Sequence, residues 1–533
     1  MTKSQGSGAR NGHYDIIVVG GGHNGLVCAA YLARAGRRVL VLEAAAQLGG
    51  AAITREIAPG FRVSACAHLL HMLHPRVIDD LALADHGLRY SARRLSTAVL
   101  GANGGALVLP DDDADAREAL SAHSRSDAEA WSPFRARTRR IARVLQPLLT
   151  RAPPRLGTHE RADRLALLKA GWSVRRLGRE NMRELLRIAG MNIADLLEET
   201  FETEAVQGAL ALDAVLGTRL GPRSPTSVLT FLYRLAHENG NGRLSHPAGG
   251  LGALTEALAK AARSVGAEIR TGCAVEHIVV ENDRAGGVVL DTGETITAGC
   301  VVSNADPRRT FLELLGPEHL DAGFVRKVRN IRMRGTAAKL NLALDALPSF
   351  AGLDTAALGG RLLVAPGIGY VERAFDHAKY GEVSAAPAIE ITLPSLHDTS
   401  LAPEGKHVLS AIVQYAPYDL RGGWDSARDT FADAIIRTLA AHAPDLESKI
   451  VARELITPLD LEREFRMTGG HWHHGELAFD QFLMLRPVPG AAQYATPVPG
   501  LYLCGAGAHP GGGVTGVAGM NAARRMLSRE AGP

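Results

Sequence analysis

Apolar positions fall into distinct patterns along the chain. Residues 16–19 (Ile-Ile-Val-Val) are a continuous apolar run, as expected of a parallel strand buried on both faces. Leu26, Ala29, Ala30, Leu32 and Ala33 then recur at helical spacing, Gly36 ends that helix, and residues 39–42 form a second apolar run. From about 110 to 240 the pattern is mostly helical and charged, with breaks predicted at Pro133, Pro147, Pro153, Pro154 and Gly171. Residues 248–306 return to α/β. A helix there shows Leu254, Leu258, Ala261 and Ala262 on one face, strands are predicted at 268–270 and 275–280, and a hairpin turns at 291–293. Partial alternation at 336–345, 388–393 and 407–414 reads as sheet, 427–443 as helix and 458–499 as loop. No internal repeat is visible.

This order predicts an α/β chain in which a Rossmann-type domain is interleaved with an α+β substrate domain. The expected blocks are a disordered polar tail at 1–13, nucleotide domain at 14–109, a helical cap at 110–245, nucleotide domain again at 246–310, a mixed-sheet substrate domain at 311–495, and the last nucleotide block at 496–533. Ligands are expected between the domains, at the carboxyl ends of the parallel strands.

Two glycine clusters bring in the chemistry. The first strand feeds into Gly20-x-Gly22-x-x-Gly25, with His23 and Asn24 inside the turn. Gly20 permits the turn, Gly22 lets backbone approach a pyrophosphate, and Gly25 lets helix and strand pack closely. The helix N-terminus offers free N–H groups to phosphate. Glu43 closes the second strand 18 residues after Gly25, where an acid accepts from ribose hydroxyls. The second cluster runs from Gly505 through Gly512 and Gly513 to Gly516 and Gly519.

Composition narrows the function. The 533 residues are 46% hydrophobic, enough for about two domains. Net charge is +3, which does not suggest a nucleic-acid partner. Five cysteines (Cys28, Cys66, Cys273, Cys300, Cys504) include no C-x-x-C pair, which argues against a redox-active disulfide and makes a reducing compartment the default. No secretory signal or run of eighteen apolar residues is seen, so a cytoplasmic location is expected. Charge is uneven, however: residues 135–187 hold 15 Lys/Arg against four acids, with Trp172, Val174 and Leu177 among the basic positions. The favoured reading is a solvated helical face. The alternative is peripheral contact with an anionic membrane.

The Glu43-x5-Gly49-Gly50 extension resembles two-dinucleotide-binding flavoproteins, in which the glycine pair passes the FAD pyrophosphate. More broadly, residues 16–50, 247–306, 469–487 and 501–524 resemble the FAD-dependent phytoene desaturase, carotenoid isomerase and amine oxidase superfamily, within it the phytoene-dehydrogenase-like branch. The resemblance implies FAD held by Gly20, Gly22, His23, Asn24, Gly25, Glu43, Gly49, Gly50 and Ala51, with Val275 at the adenine end and Asn304 beside the turn. It implies that Gly505, Gly512, Gly513 and Val514 approach the ribityl chain and isoalloxazine. Many relatives carry an acid where this chain has Ala506. Amine oxidases of the superfamily place a lysine near Lys339, joined through water to flavin N5, whereas carotene desaturases often lack it.

Candidate substrate-facing groups are Lys339, His471, His473 and Glu476. His68, His71 and His74 match no metal-ligand spacing and are expected to line a pocket wall or cap loops; no metal is expected. The leading function is hydride removal from, or relocation within, a lipophilic polyene- or isoprenoid-like substrate, with oxygen or a quinone as electron acceptor. The alternatives are an oxygen-using amine-oxidase-like enzyme relying on Lys339, and a non-catalytic, membrane-associated FAD scaffold.

Overall fold

The computed structural model describes residues 13–101, 104–155, 157, 159–238 and 243–530, so the expected disordered tail lies almost entirely outside the described residues. One seven-stranded sheet runs in the order Val275–Glu281, Arg284–Leu290, Thr295–Ser303, Tyr14–Val19, Val39–Leu42, Glu268–Arg270, with Leu501–Leu503 also paired to Thr295–Ser303. Tyr14–Val19 lies parallel to both Val39–Leu42 and Thr295–Ser303. Ile16, Ile17 and Val18 are buried, because the strand is covered on both faces. The helix His23–Arg34 packs between the helices Leu251–Ser264 and Val517–Glu530. Three distant stretches of chain therefore build one nucleotide-type layer.

A second seven-stranded sheet has the order Ile450–Ile456, Ala337–Leu344, His407–Gln414, Ala388–Thr392, Arg361–Val364, Thr97–Leu100, Ala106–Leu109. The last two strands fall inside the block expected to belong to the nucleotide domain. They join this sheet instead, because Thr97–Leu100 pairs in parallel with Arg361–Val364, 264 residues later. Ala337–Leu344 is hydrogen-bonded on both sides and buried along its whole length. Ala338, Leu340, Leu342 and Leu344 point into an apolar core, leaving Lys339 and Asn341 on the opposite face.

The helical block also departs from expectation. One 25-residue helix, Arg125–Leu149, runs through both Pro133 and Pro147, and Gly171 lies inside the helix Arg161–Arg175. Each interior proline costs about 3 kcal/mol. That cost is offset where Trp131, Phe134, Ile141 and Leu149 are buried, each worth roughly 1.5–3 kcal/mol. The Ser124 hydroxyl also caps the helix by accepting from Asp127 N at 3.1 Å. By contrast, Leu165, Leu168, Trp172 and Leu186 remain more than half exposed on the next two helices. No described helix is long and apolar enough to cross a membrane.

Candidate active site

Between the two sheets lies a cavity of about 590 Å³. Its lining includes Gly20, Gly22, His23, Asn24, Glu43, Gly49, Gly50, Ala51, Val275, Asn304, Ala506, Gly513 and Val514, all expected cofactor residues. Gly25, Gly505 and Gly512 are not in the lining. Gly25 acts by close packing: a Cβ there would lie 2.2 Å from the Gly20 carbonyl oxygen. Gly505 is pressed similarly against the Asn304 carbonyl, at 2.4 Å from its would-be Cβ, and Gly512 against His473 Nδ1, at 2.3 Å. These three glycines shape the walls rather than facing the space.

The residues present fit a dinucleotide. The glycine turn at 20–25 and the glycine pair at 49–50 meet directly, through a parallel bridge between Gly22 and Gly49. Gly49 adopts φ +124°, a conformation that disfavours a side chain. Glu43 Oε2 accepts from Gly21 N at 2.7 Å and Oε1 from Ala45 N at 2.9 Å, which fixes the carboxylate at the cavity wall with lone pairs left for ribose hydroxyls. His23 Nε2, Asn24 Oδ1, Trp472 Nε1, His473 Nδ1 and His474 Nδ1 are buried without a protein partner, and all five residues line the cavity. Such groups are normally satisfied, so a polar ligand with several donors and acceptors suits this space. Replacing Gly25 with Val should force the turn apart, and bound flavin per soluble chain is expected to fall about tenfold or more, a loss of at least about 1.4 kcal/mol. Normal flavin content in that variant would contradict the packing role.

Lys339 does not face the cavity. It is completely buried, and its Nζ lies 2.8 Å from His68 Nδ1. His68 does line the cavity, as do His71 and Glu390. His68 Nε2 is 3.0 Å from Glu390 Oε1, and Glu390 Oε2 accepts from Arg361 Nε. Arg361 Nη2 in turn donates to Asp213 at 2.6 Å. Burial pushes the Glu390 carboxyl up, but Arg361 and the His68 bond hold it well below the usual range. An ionised carboxylate only accepts, so Nε2 of His68 carries the hydrogen and Nδ1 accepts from Lys339. Burial, with the Lys339 charge, lowers the imidazole to about 4, and burial lowers Lys339 to about 7. The result is a carboxylate–imidazole–amine row with its imidazole at the cavity.

Of the other candidates, His473 lines the cavity, whereas His471 and Glu476 do not. Glu476 instead ties two segments together, accepting from Arg219 N at 2.9 Å and Leu477 N at 3.1 Å, with His471 Nε2 at 3.4 Å. Arg486, fully buried, donates to the carbonyls of His473, Gly475, Glu476, Gln481 and Ala506. It thereby fixes the loop that carries His473 against the last glycine cluster. His74 caps the Pro75–Asp80 helix by accepting from Arg76 N. Among the described residues, no group of three His, Cys, Asp or Glu is placed to hold a metal ion.

The fold and this cavity define an FAD-dependent oxidoreductase. The chain belongs to the flavin-containing amine oxidoreductase family, which it matches over residues 25–527. It is 37% identical to the rat "Pyridine nucleotide-disulfide oxidoreductase domain-containing protein 2", over 98% of this chain and 94% of the relative. It is 26% identical to "Phytoene desaturase (lycopene-forming)" of Pantoea ananas, over 96% and 98%. Cyclohexylamine oxidase from Brevibacterium oxydans IH-35A superposes with a TM-score of 0.59 at 16% identity, covering 98% and 100%, which shows a shared fold.

Proposed function

We propose that the chain dehydrogenates a neutral, largely apolar substrate. The observation that carries this is the character of the wall formed by His68, His71, Met72, Leu216, Ile412, Trp472 and His473. Burial lowers His68 to about 4 and His473 to about 3, so both are neutral at pH 7. The carboxylate in that wall, Glu390, is already committed to Arg361 and His68. A cationic amine would find no uncommitted anion there, whereas a hydrocarbon would lose nothing on leaving water. Similarity to a phytoene desaturase supports an isoprenoid-like substrate.

FAD, when bound, supplies the two-electron acceptor. The protein's part is to hold the substrate C–H bond in place and exclude water, with His68 held in one tautomer at the wall. The test is anaerobic reduction of the bound flavin by phytoene or a shorter isoprenoid, compared with cyclohexylamine. Faster reduction by the hydrocarbon is expected, and faster reduction by the amine would overturn the reading.

A second reading concerns the electron acceptor, oxygen or a quinone. The buried Lys339, sharing a hydrogen bond with the cavity-lining His68, favours oxygen, because a nearby positive charge stabilises developing superoxide. Lys339→Met should then slow reoxidation of the reduced flavin by air about tenfold or more, equivalent to about 1.4 kcal/mol in the barrier. Unchanged reoxidation would remove this role for Lys339.

The surface of the 161–188 helices fits a lipophilic substrate reached from a membrane. Exposed Leu165, Leu168 and Trp172 stand among Arg161, Arg164, Lys169 and Arg175. Changing Leu168 and Trp172 together to Ser should lower partitioning onto phosphatidylserine vesicles about tenfold or more, since each apolar side chain buried is worth roughly 1.5–3 kcal/mol. Equal co-sedimentation of variant and wild type would remove membrane contact through this face.

A further inference from the structure

A separate cavity of about 320 Å³ is lined in part by Arg361, the partner of Glu390. Six arginines line it: Arg135, Arg139 and Arg143 from successive turns of one helix, with Arg234, Arg243 and Arg361. Three carboxylates share the lining, Asp111, Asp213 and Glu238. Asp113 pairs with Arg135 and Arg139, and Glu390 with Arg361, so six guanidinium groups meet five carboxylates in all. Burial pushes the Glu238 carboxyl up, which weakens the negative side further. Arg143 has no ion-pair partner among the described residues.

The second, independent observation is Trp131. Its side chain lines the same cavity and is 4% exposed, and its indole Nε1 is buried with no acceptor. Indole nitrogen only donates, so a buried Nε1 without a partner calls for an acceptor. Forked guanidinium groups and one indole N–H around a small space match an oxyanion. Apart from Arg361, which holds Glu390, nothing in the dehydrogenation described above uses this set.

We propose that this cavity binds a small polyanion, a di- or tricarboxylate or a phosphate compound, against Arg139, Arg143 and Trp131. The shared chemistry is the oxyanion. Arg361 lines this cavity and pairs with Glu390, which lines the larger one, so one ion pair links the two spaces.

Isothermal titration of the FAD-loaded protein with sodium citrate and, separately, sodium pyrophosphate tests the site, with sodium chloride matching ionic strength. Saturable one-site binding of at least one is expected, and the tighter of the two distinguishes a carboxylate from a phosphate source. Arg143→Gln should weaken it about tenfold, as the loss of one charge-assisted hydrogen bond. Trp131→Phe, which removes the N–H and keeps an aromatic ring, should weaken it about fivefold. Flavin content and Tm check that both variants remain folded. Absence of saturable binding by either anion, or binding unchanged in both variants, overturns the site. A visible-spectrum change of the bound flavin on saturation is expected through Arg361 and Glu390. Binding without that change overturns the coupling between the cavities while the anion site stands.

Discussion

Glu390→Gln should destabilise the protein by about 3–5 kcal/mol, the usual cost of leaving a buried charge without its partner. The stranded charge is Arg361, whose surface is 2% exposed. Gln can still accept the His68 Nε2 hydrogen through its carbonyl oxygen, so the loss falls on the ion pair rather than on packing. Arg361 retains Asp213, which is itself shared with Arg234 at 3.1 Å and so compensates only in part. The denaturant midpoint at matched flavin occupancy measures the effect. Removing both charges, in Glu390→Gln with Arg361→Met, should cost less than the two single changes summed, because no uncompensated ion remains. A Glu390→Gln protein within about 0.5 kcal/mol of wild type, the range of an ordinary surface substitution, would show that the pair is not structurally important.

The same variant also reads out on the chemistry. Without a carboxylate that can only accept, His68 is free to take either tautomer, and Nδ1 is no longer reserved for Lys339. Flavin reduction should slow while substrate binding changes little, because His68 would be misplaced rather than removed. A drop in binding with an unchanged reduction step would place the network in substrate recognition instead.

This network marks where sequence reasoning stopped. The glycine turn and Glu43 were legible because strand, turn, helix and acid follow one another within thirty residues, each with its own local signal. Lys339 was visible as a lysine on an alternating strand. Its partners were not: His68 lies 271 residues earlier, and Glu390 is 322 residues from His68. Arg361 and Glu390 sit on neighbouring strands of the second sheet and show no spacing of their own. Three of that sheet's six pairings join strands that are not consecutive in the chain, so no periodicity shows which strand meets which. The same reason sent 97–109 to the wrong layer. The helix through Pro133 and Pro147 was missed differently: the local rule against proline was correct, and burial of aromatic and aliphatic side chains along the helix outweighed it. His471 and Glu476 looked like a substrate-facing pair because they cluster in sequence, but their polar atoms are spent on holding the loop.

The protein should lose stability steeply as pH falls from about 6.5 to 4. Four of the buried histidines bear on this: His68, His237, His246 and His509. Burial lowers His246 to about 3 and the other three to about 4, from an ordinary value of 6.5. In the unfolded chain they would protonate near pH 6.5. Between that value and the folded one the unfolded state therefore binds more protons, so stability declines throughout the window and levels off below it. Each tenfold loss of proton affinity on folding is worth about 1.4 kcal/mol. Each of these histidines thus opposes folding by up to about 3 kcal/mol at pH 4, and four together approach the whole stability of an ordinary domain, roughly 5–15 kcal/mol. Where all four differ in protonation, the slope reaches about 5 kcal/mol per pH unit as an upper limit. His23, His473 and His474 line the cavity and are also lowered, to about 4, 3 and 4, so flavin covering them should add to the trend. Glu390 and Glu476 do not confuse the result, because carboxylates held low lose their contribution only below about 4.5. Lys339, lowered to about 7, acts on the alkaline side. A Tm series from pH 7.5 to 4.5 at constant ionic strength checks the expectation. A flat Tm down to pH 5 would mean that water or alternative packing already accommodates charged imidazoles in this interior.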